Sequence, residues 1–350
     1  MDVLDQWRAQ STEKFIPLQA SLELTYRCNE RCTHCYIDNF WDDPNKVLTF
    51  ENWISILNEL KNAGTLYLVL MGGEAMLHHY FWDIAEAARK RGFHLSLITN
   101  GLKINNLKTA QRLKEIPFHH INFSLYSLNP EIHDKMTSVA GSHKKTMDAI
   151  DLCRQVGLQI GINCLLTKAN IADYFALANW CVEREIEIKE DPAVTARFGG
   201  DLSPLKLRAS DDQLEKFYRQ RAKLWPKSLP RAESLQGNDY VCNIAKGKCA
   251  INPYGDLLGC TEVRRPLGNL LKNDFQTIWH NESAYKWRNI KVKDIKNRAA
   301  DVSHCGESTH CEHCPGMALS ESYDPLILTE DSVRLARIKK AVSVEFARTE

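Results

Sequence analysis

Three cysteines crowd into TYRCNERCTHCY, residues 25–36: Cys28, Cys32 and Cys35, spaced CxxxCxxC. Thiolates packed this closely hold zinc or an iron–sulfur cluster, and both usually take four protein ligands. The stretch supplies three. A zinc knuckle is the plainer reading and would enlist His34 as its fourth ligand. But His34 lies between Cys32 and Cys35, with little slack for closing a tetrahedron. A 4Fe–4S cluster with one open iron fits better: three thiolates hold three irons, and an outside ligand completes the fourth.

Six of the remaining cysteines fall between residues 242 and 314. In CNIAKGKCAINPYGDLLGC, Cys242 and Cys249 precede INPYGD, shaped like a hairpin turn, and Cys260 follows it. CGESTHCEHCPGMA adds Cys305, Cys311 and Cys314, and a zinc ribbon is again the plainer reading. Cys153 and Cys181 lie in helical patterns beside Leu152 and Trp180, where a free cysteine packs as a small hydrophobe. Packing is also the expectation for Cys164, although it nears the end of a strand. His78 and His79 read as a surface or loop pair, since adjacent residues on a helix diverge.

The elements that must position these groups alternate. Apolar or period-two runs at SLELTY, 65–71, 93–99, 120–126, 158–166 and 185–188 read as strands. Helical patterns intervene at roughly 81–91, 103–115, 142–156 and 171–183, and one begins at the cap Thr49 and buries Trp53, Leu57 and Leu60. Six βα units imply a parallel sheet with right-handed crossovers, too few for a closed eightfold barrel, so the fold class is α/β, an open partial (β/α)6 barrel. Active sites in such sheets form at the C-terminal strand ends. Cys28, Gly72-Gly73-Glu74, Asn100 and Ser124 all fall on that rim. Further helices are expected near 210–225, near 274–289 and over 331–348, with short strands around LLGC.

A formal net charge of +1 gives no global attraction to nucleic acid or an anionic membrane. The longest apolar run, Leu66–Met71, is far too short to span a bilayer, and MDVLDQWRAQ lacks the pattern of a signal peptide. A cytoplasmic protein with reduced thiols is expected, its twelve cysteines read as metal ligands and core residues rather than disulfides.

CNERCTHCY after one strand and MGGEAML after the next resemble the radical S-adenosylmethionine (SAM) superfamily. The resemblance implies SAM bound to the open iron of a 4Fe–4S cluster. The cluster reduces the sulfonium, and the resulting 5′-deoxyadenosyl radical takes a hydrogen from the substrate. It also implies that Gly72, Gly73 and Glu74 bind the SAM amino group, with the carboxylate facing a cation. Tyr36 would lie by the adenine, Ser124 near the ribose or carboxylate, and Asn100 along the pocket. The family usually has Pro after GGE, where this chain has Ala75. Cys164 becomes a candidate hydrogen donor, as in family epimerases.

The second cysteine group resembles the SPASM extension of these enzymes, which carries auxiliary iron–sulfur clusters. On its pattern Cys242, Cys249, Cys260 and Cys314 hold one saturated cluster, expected to shuttle electrons. Cys305 and Cys311 would belong to a second whose other ligands are missing, with Val302 at one ligand position and Asp301, His304 or His310 as substitutes; spacing equally allows Cys305 or Cys311 in the surviving cluster. At least one auxiliary cluster is therefore expected. The implied layout is a barrel over 18–200, a bridge over 201–237, the auxiliary-cluster domain over 238–325 and a helix over 331–348. LYSLNPEIHDKMTSVAGSHKKT looks like peptide-modifying members. The implied substrate is a ribosomally made peptide to be crosslinked, oxidised or epimerised, with a sugar or tetrapyrrole as the alternative and a zinc-stapled binding protein as the non-enzyme reading. An electron donor such as flavodoxin or ferredoxin is implied. The short stretch before the barrel leaves no room for a fused leader-binding domain, so a separate leader-binding protein or direct recognition is expected.

Overall fold

The computed structural model describes residues 3–225, 237–296 and 313–347. Six strands run in parallel, each paired with the next: β1 (Gln19–Thr25), β2 (Tyr67–Gly72), β3 (His94–Thr99), β4 (His120–Ser124), β5 (Ile160–Leu165) and β6 (Glu187–Asp191). Helices fill the crossovers. The one over Phe50–Asn62 is capped by Thr49, in a capping box with Asn52, and buries Trp53, Ile56, Leu57 and Leu60. The last parallel strand starts later than the expected 185–188, because Glu185 adopts a left-handed turn (φ 56°).

The short strands of the cysteine-rich segment exist, but they extend this same sheet. Lys248–Ile251 (β7) pairs in parallel with the free edge of β1, setting Cys249 opposite Ala20, and Asp256–Leu258 (β8) and Gly268–Asn269 (β9) follow antiparallel. The result is one nine-stranded sheet with β6 and β9 at its ends. INPYGD is the β7–β8 turn. Gly255 takes φ +83°, and the Asn252 side chain accepts from the N–H groups of Tyr254 (3.0 Å) and Asp256 (2.9 Å).

Two local signals were not read from the sequence. Asn129 caps a helix over Pro130–Thr137 with Pro130 in its first turn. Asn281 starts a new helix, accepting from Ala284 N–H at 2.8 Å, and so splits the expected 274–289 helix into Phe275–Trp279 and Glu282–Arg288. Two other helices, Val3–Glu13 and Pro315–Ser322, also went unread, and the last, Glu330–Ala347, packs against Asp211–Leu224. No helix of the described residues is long and apolar enough to cross a membrane.

Candidate active site

One residue from or just beyond each of β1 to β6 lines an open cavity of about 280 Å³: Cys28, Gly72, Asn100, Ser124, Leu165 and Asp191. Cys32, Cys35, Tyr36 and Gly73 join them. The rim inferred from strand polarity is thus one continuous surface.

The cysteine loop is stitched to the turn after β2. Gly73 N–H donates to Thr25 O and Glu74 N–H to Arg27 O, both at 2.8 Å. A Cβ on Gly72, at φ +136°, would collide with the carbonyl of Thr25, and one on Gly73 with the carbonyls of Tyr26 and Arg27. These glycines are therefore required where two backbone segments cross, independently of any ligand. The other end of the loop is held by Asp42, which accepts from Thr25 Oγ1 and from Tyr26 N–H (2.7 Å).

Glu74 departs from expectation. Its carboxylate is fully buried and turned toward the end of β3, where it accepts from Thr99 Oγ1 (2.9 and 3.0 Å), Asn100 N–H (2.9 Å) and Met76 N–H (3.1 Å). It ties two strand ends together and does not face the cavity.

Burial pushes the Cys28 thiol up to about 12, raises Cys35, and lifts Cys32 well above its ordinary value. Glu30 N–H lies 3.4 Å from Cys28 Sγ, and Asn100 Nδ2 lies 3.8 Å from it while donating to Asn29 Oδ1 at 2.7 Å. Cys32 Sγ approaches Glu30 Oε2 at 3.5 Å, and burial raises the Glu30 carboxyl to about 7. No three His, Cys, Asp or Glu side chains among the described residues are posed around one metal ion. Three thiols lining a cavity instead suit a cluster, where each takes a different iron. His34, the alternative zinc ligand, packs its ring edge-on to Tyr126 (4.7 Å, 76°), and burial lowers it to about 4.

Beside the cysteines, Tyr36 is clamped by Phe198 (ring centroids 4.7 Å apart), whose N–H donates to Tyr36 O at 2.9 Å. Arg264 lies over both rings, 3.5 Å from Phe198 and 5.3 Å from Tyr36. It also forms a bidentate pair with Glu23 of β1, two contacts of 2.7 Å, with Glu23 fully buried. Nothing in TEVRRPLG marks this arginine in the sequence, because its partners lie far away along the chain. Glu262, two residues earlier, lines the cavity too.

One other expectation changes. Cys164 is buried away from the cavity, 3.7 Å from both Tyr126 O and Asn170 Nδ2, while its neighbour Leu165 faces inward. Strand alternation thus removes it as a hydrogen donor. His78 and His79 lie in the loop after a short helical turn, in line with the loop reading, stacked at 4.9 Å with His78 buried. Cys153 and Cys181 are fully buried in the core.

In the second cysteine group, Cys242 and Cys260 lie in the loops flanking β7 and β8, and Cys314 precedes the helix over Pro315–Ser322. Burial raises Cys242, pushes Cys314 up to about 12, and alone accounts for a still larger rise at Cys249. Cys249 packs into the core from β7, and Cys242 and Cys260 rest against that core. Cys305, Cys311, Val302, Asp301, His304 and His310 lie outside the described residues.

Residues 22–181 match the Radical SAM superfamily model, and residues 242–315 match the SPASM model, an iron–sulfur cluster-binding domain. Together with the parallel sheet and its cysteine-lined rim, these matches define a radical SAM enzyme. The chain thus carries a Radical SAM domain followed by a C-terminal SPASM domain. It is 23% identical to mycofactocin maturase MftC of Mycobacterium tuberculosis over 335 residues, covering 88% of this chain and 79% of that protein. It is also 23% identical to PqqA peptide cyclase of Bradyrhizobium diazoefficiens, covering 83% of this chain and 78% of that one. Among solved structures, Streptococcus suis SuiB bound to precursor peptide SuiA superposes with a TM-score of 0.71 at 16% identity, covering 94% of this chain and 80% of that one. That likeness concerns the fold.

Proposed function

We propose that this enzyme modifies a ribosomally made peptide. The observation that carries the reading is the cavity in which three thiols meet one position from the end of each of β1 to β6. The relatives matched along most of the chain are named as a maturase and a peptide cyclase, which favours a peptide over a sugar or tetrapyrrole. Cys28, Cys32 and Cys35 would hold a 4Fe–4S cluster, which together with SAM would supply the one-electron reduction and radical chemistry needed to take a hydrogen from the substrate.

The chain's own groups bind and enclose. Tyr36, held by Phe198 and Arg264, offers a fixed aromatic wall for the adenine. Asn100 and Ser124 offer polar contacts, and Phe40, Ile98 and Leu165 exclude water from part of the cavity. Cys242, Cys249, Cys260 and Cys314 would hold one auxiliary cluster, with four thiolates leaving its irons closed to substrate and suited to electron transfer. A flavodoxin- or ferredoxin-like donor supplies the reducing electron, the peptide's leader is held directly or by a separate protein, and the reaction takes place in the cytoplasm.

The test is anaerobic. Reconstituted, reduced protein given SAM should release 5′-deoxyadenosine, and Cys28→Ala should bring this to background. Near-stoichiometric zinc without iron in the purified protein would overturn the reading.

A further inference from the structure

We propose that Lys246 supplies the positive charge that raises the reduction potential of the auxiliary cluster. This rests on Cys242, Cys249, Cys260 and Cys314 holding that cluster, as proposed above. Lys246 lies within the first interval of that set, four residues after Cys242 and three before Cys249. The interval is a loop folded onto the approach to the third cysteine. Ala245 N–H donates to Gly259 O at 3.0 Å, and a Cβ on Gly259 would lie 3.0 Å from Ile244 and 3.2 Å from Ala245. Ala245 takes a left-handed turn (φ 51°), and Arg288 Nε donates to its carbonyl. Lys246 follows this turn and is 3% exposed, with Nζ 3.1 Å from the ring centroid of Tyr240.

Lysine and arginine are seldom this buried unless paired with an acid. Arg288, 4% exposed, gives its donors to the carbonyls of Ala245 and Trp279, and Lys246 has the face of Tyr240. Among the described residues no carboxylate pairs with either. The charged groups that bear on Lys246 are Arg288, which repels it, and Cys242, which as a thiolate attracts it. Two buried cations on a cysteine loop with no acid beside them call for an anion. A 4Fe–4S cluster is such an anion: four thiolates outweigh the charge of its core, and reduction adds one more negative charge. A fixed cation therefore favours the reduced form and raises the potential. Burial matters here, because an exposed lysine such as Lys248 is screened by water and salt. The ring of Tyr240 fixes the ammonium within the loop. Lys246 acts through the cluster, which makes it a positioning residue.

The test uses the full chain carrying Cys28→Ala, Cys32→Ala and Cys35→Ala, reconstituted anaerobically so that only the auxiliary cluster reports. Iron is counted, and the reduction potential is measured by a redox titration followed by electron paramagnetic resonance. Lys246→Met keeps an apolar stem and removes the charge. It should lower the equilibrium constant for one-electron reduction about tenfold, a fall of roughly 59 mV, with iron content unchanged. Lys246→Arg should stay near the starting potential, and Lys248→Met should move it less than Lys246→Met does. A lysine that only packs against Tyr240 would lower the melting temperature of Lys246→Met and leave the potential in place, which would overturn the proposal. So would an equal fall in Lys246→Arg or Lys248→Met. Where Lys246→Met fails to load iron, Lys246→Gln is read on the same scale. Iron lost from both would make Lys246 an assembly residue and overturn the proposal too. A folded triple variant without iron would instead overturn the auxiliary-cluster reading itself.

Discussion

Cys28, Cys32 and Cys35 follow the end of β1 on a loop, half-buried and lining a cavity, whereas Cys249 sits inside β7, deep in the core against the edge of that same strand. One strand therefore positions both cysteine groups, the first by its end and the second by its side. The loop group is held by backbone crossings at Gly72 and Gly73 and keeps one face toward a ligand. The edge group is tied into the sheet through Cys249, and Cys242 and Cys260 rest against the same hydrophobic core. The contrast rests on Cys249: the loop thiols line a cavity, whereas the strand encloses this one, with Cys242, Cys260 and Cys314 half-buried outside the strands.

Breaking the edge group alone is the sharpest test of this difference. Cys314→Ala should remove about four irons per chain, measured by iron assay, while SAM-dependent release of 5′-deoxyadenosine persists. Loss of both together would erase the distinction. Next, Arg264→Met cuts the buried pair with Glu23 that joins the two regions. It should cost about 3–5 kcal/mol, read as a lowered melting temperature, because Glu23 is left buried and unpaired. Adding Glu23→Gln should recover part of that loss. Gly72→Ala should cost about 3 kcal/mol by thermal melting, the upper range for a strained backbone position. Gly92→Ala is the control: its φ is +90°, nothing lies within 4 Å of an added Cβ, and about 1 kcal/mol is expected. Cys153→Ala should do least, about 1 kcal/mol with iron content unchanged, since this thiol is core packing.

The rim was legible because period-two runs and Gly-rich turns report strand ends, and strand ends define where such sheets bind ligands. The Thr49 capping box and the Asn252–Asp256 turn were equally readable, being local. What escaped depends on distant partners. No local pattern tells that β7 will pair with β1, or that Arg264 will reach Glu23. Side-chain direction escaped as well. Glu74 belongs to the motif yet turns inward, while Glu30, unremarked between two cysteines, faces the cavity.

The pairing of β1 with β7 has a consequence for how the chain is made. As synthesis proceeds from the N-terminus, β2 can reach β1 early, but the other edge of β1 waits until Lys248–Ile251 has left the ribosome. Through that interval an apolar strand offers unpaired N–H and C=O groups to any neighbouring chain. Stalled or truncated products ending before residue 248 should therefore be the ones that aggregate or recruit chaperones, and release of the last strands is what seals the sheet.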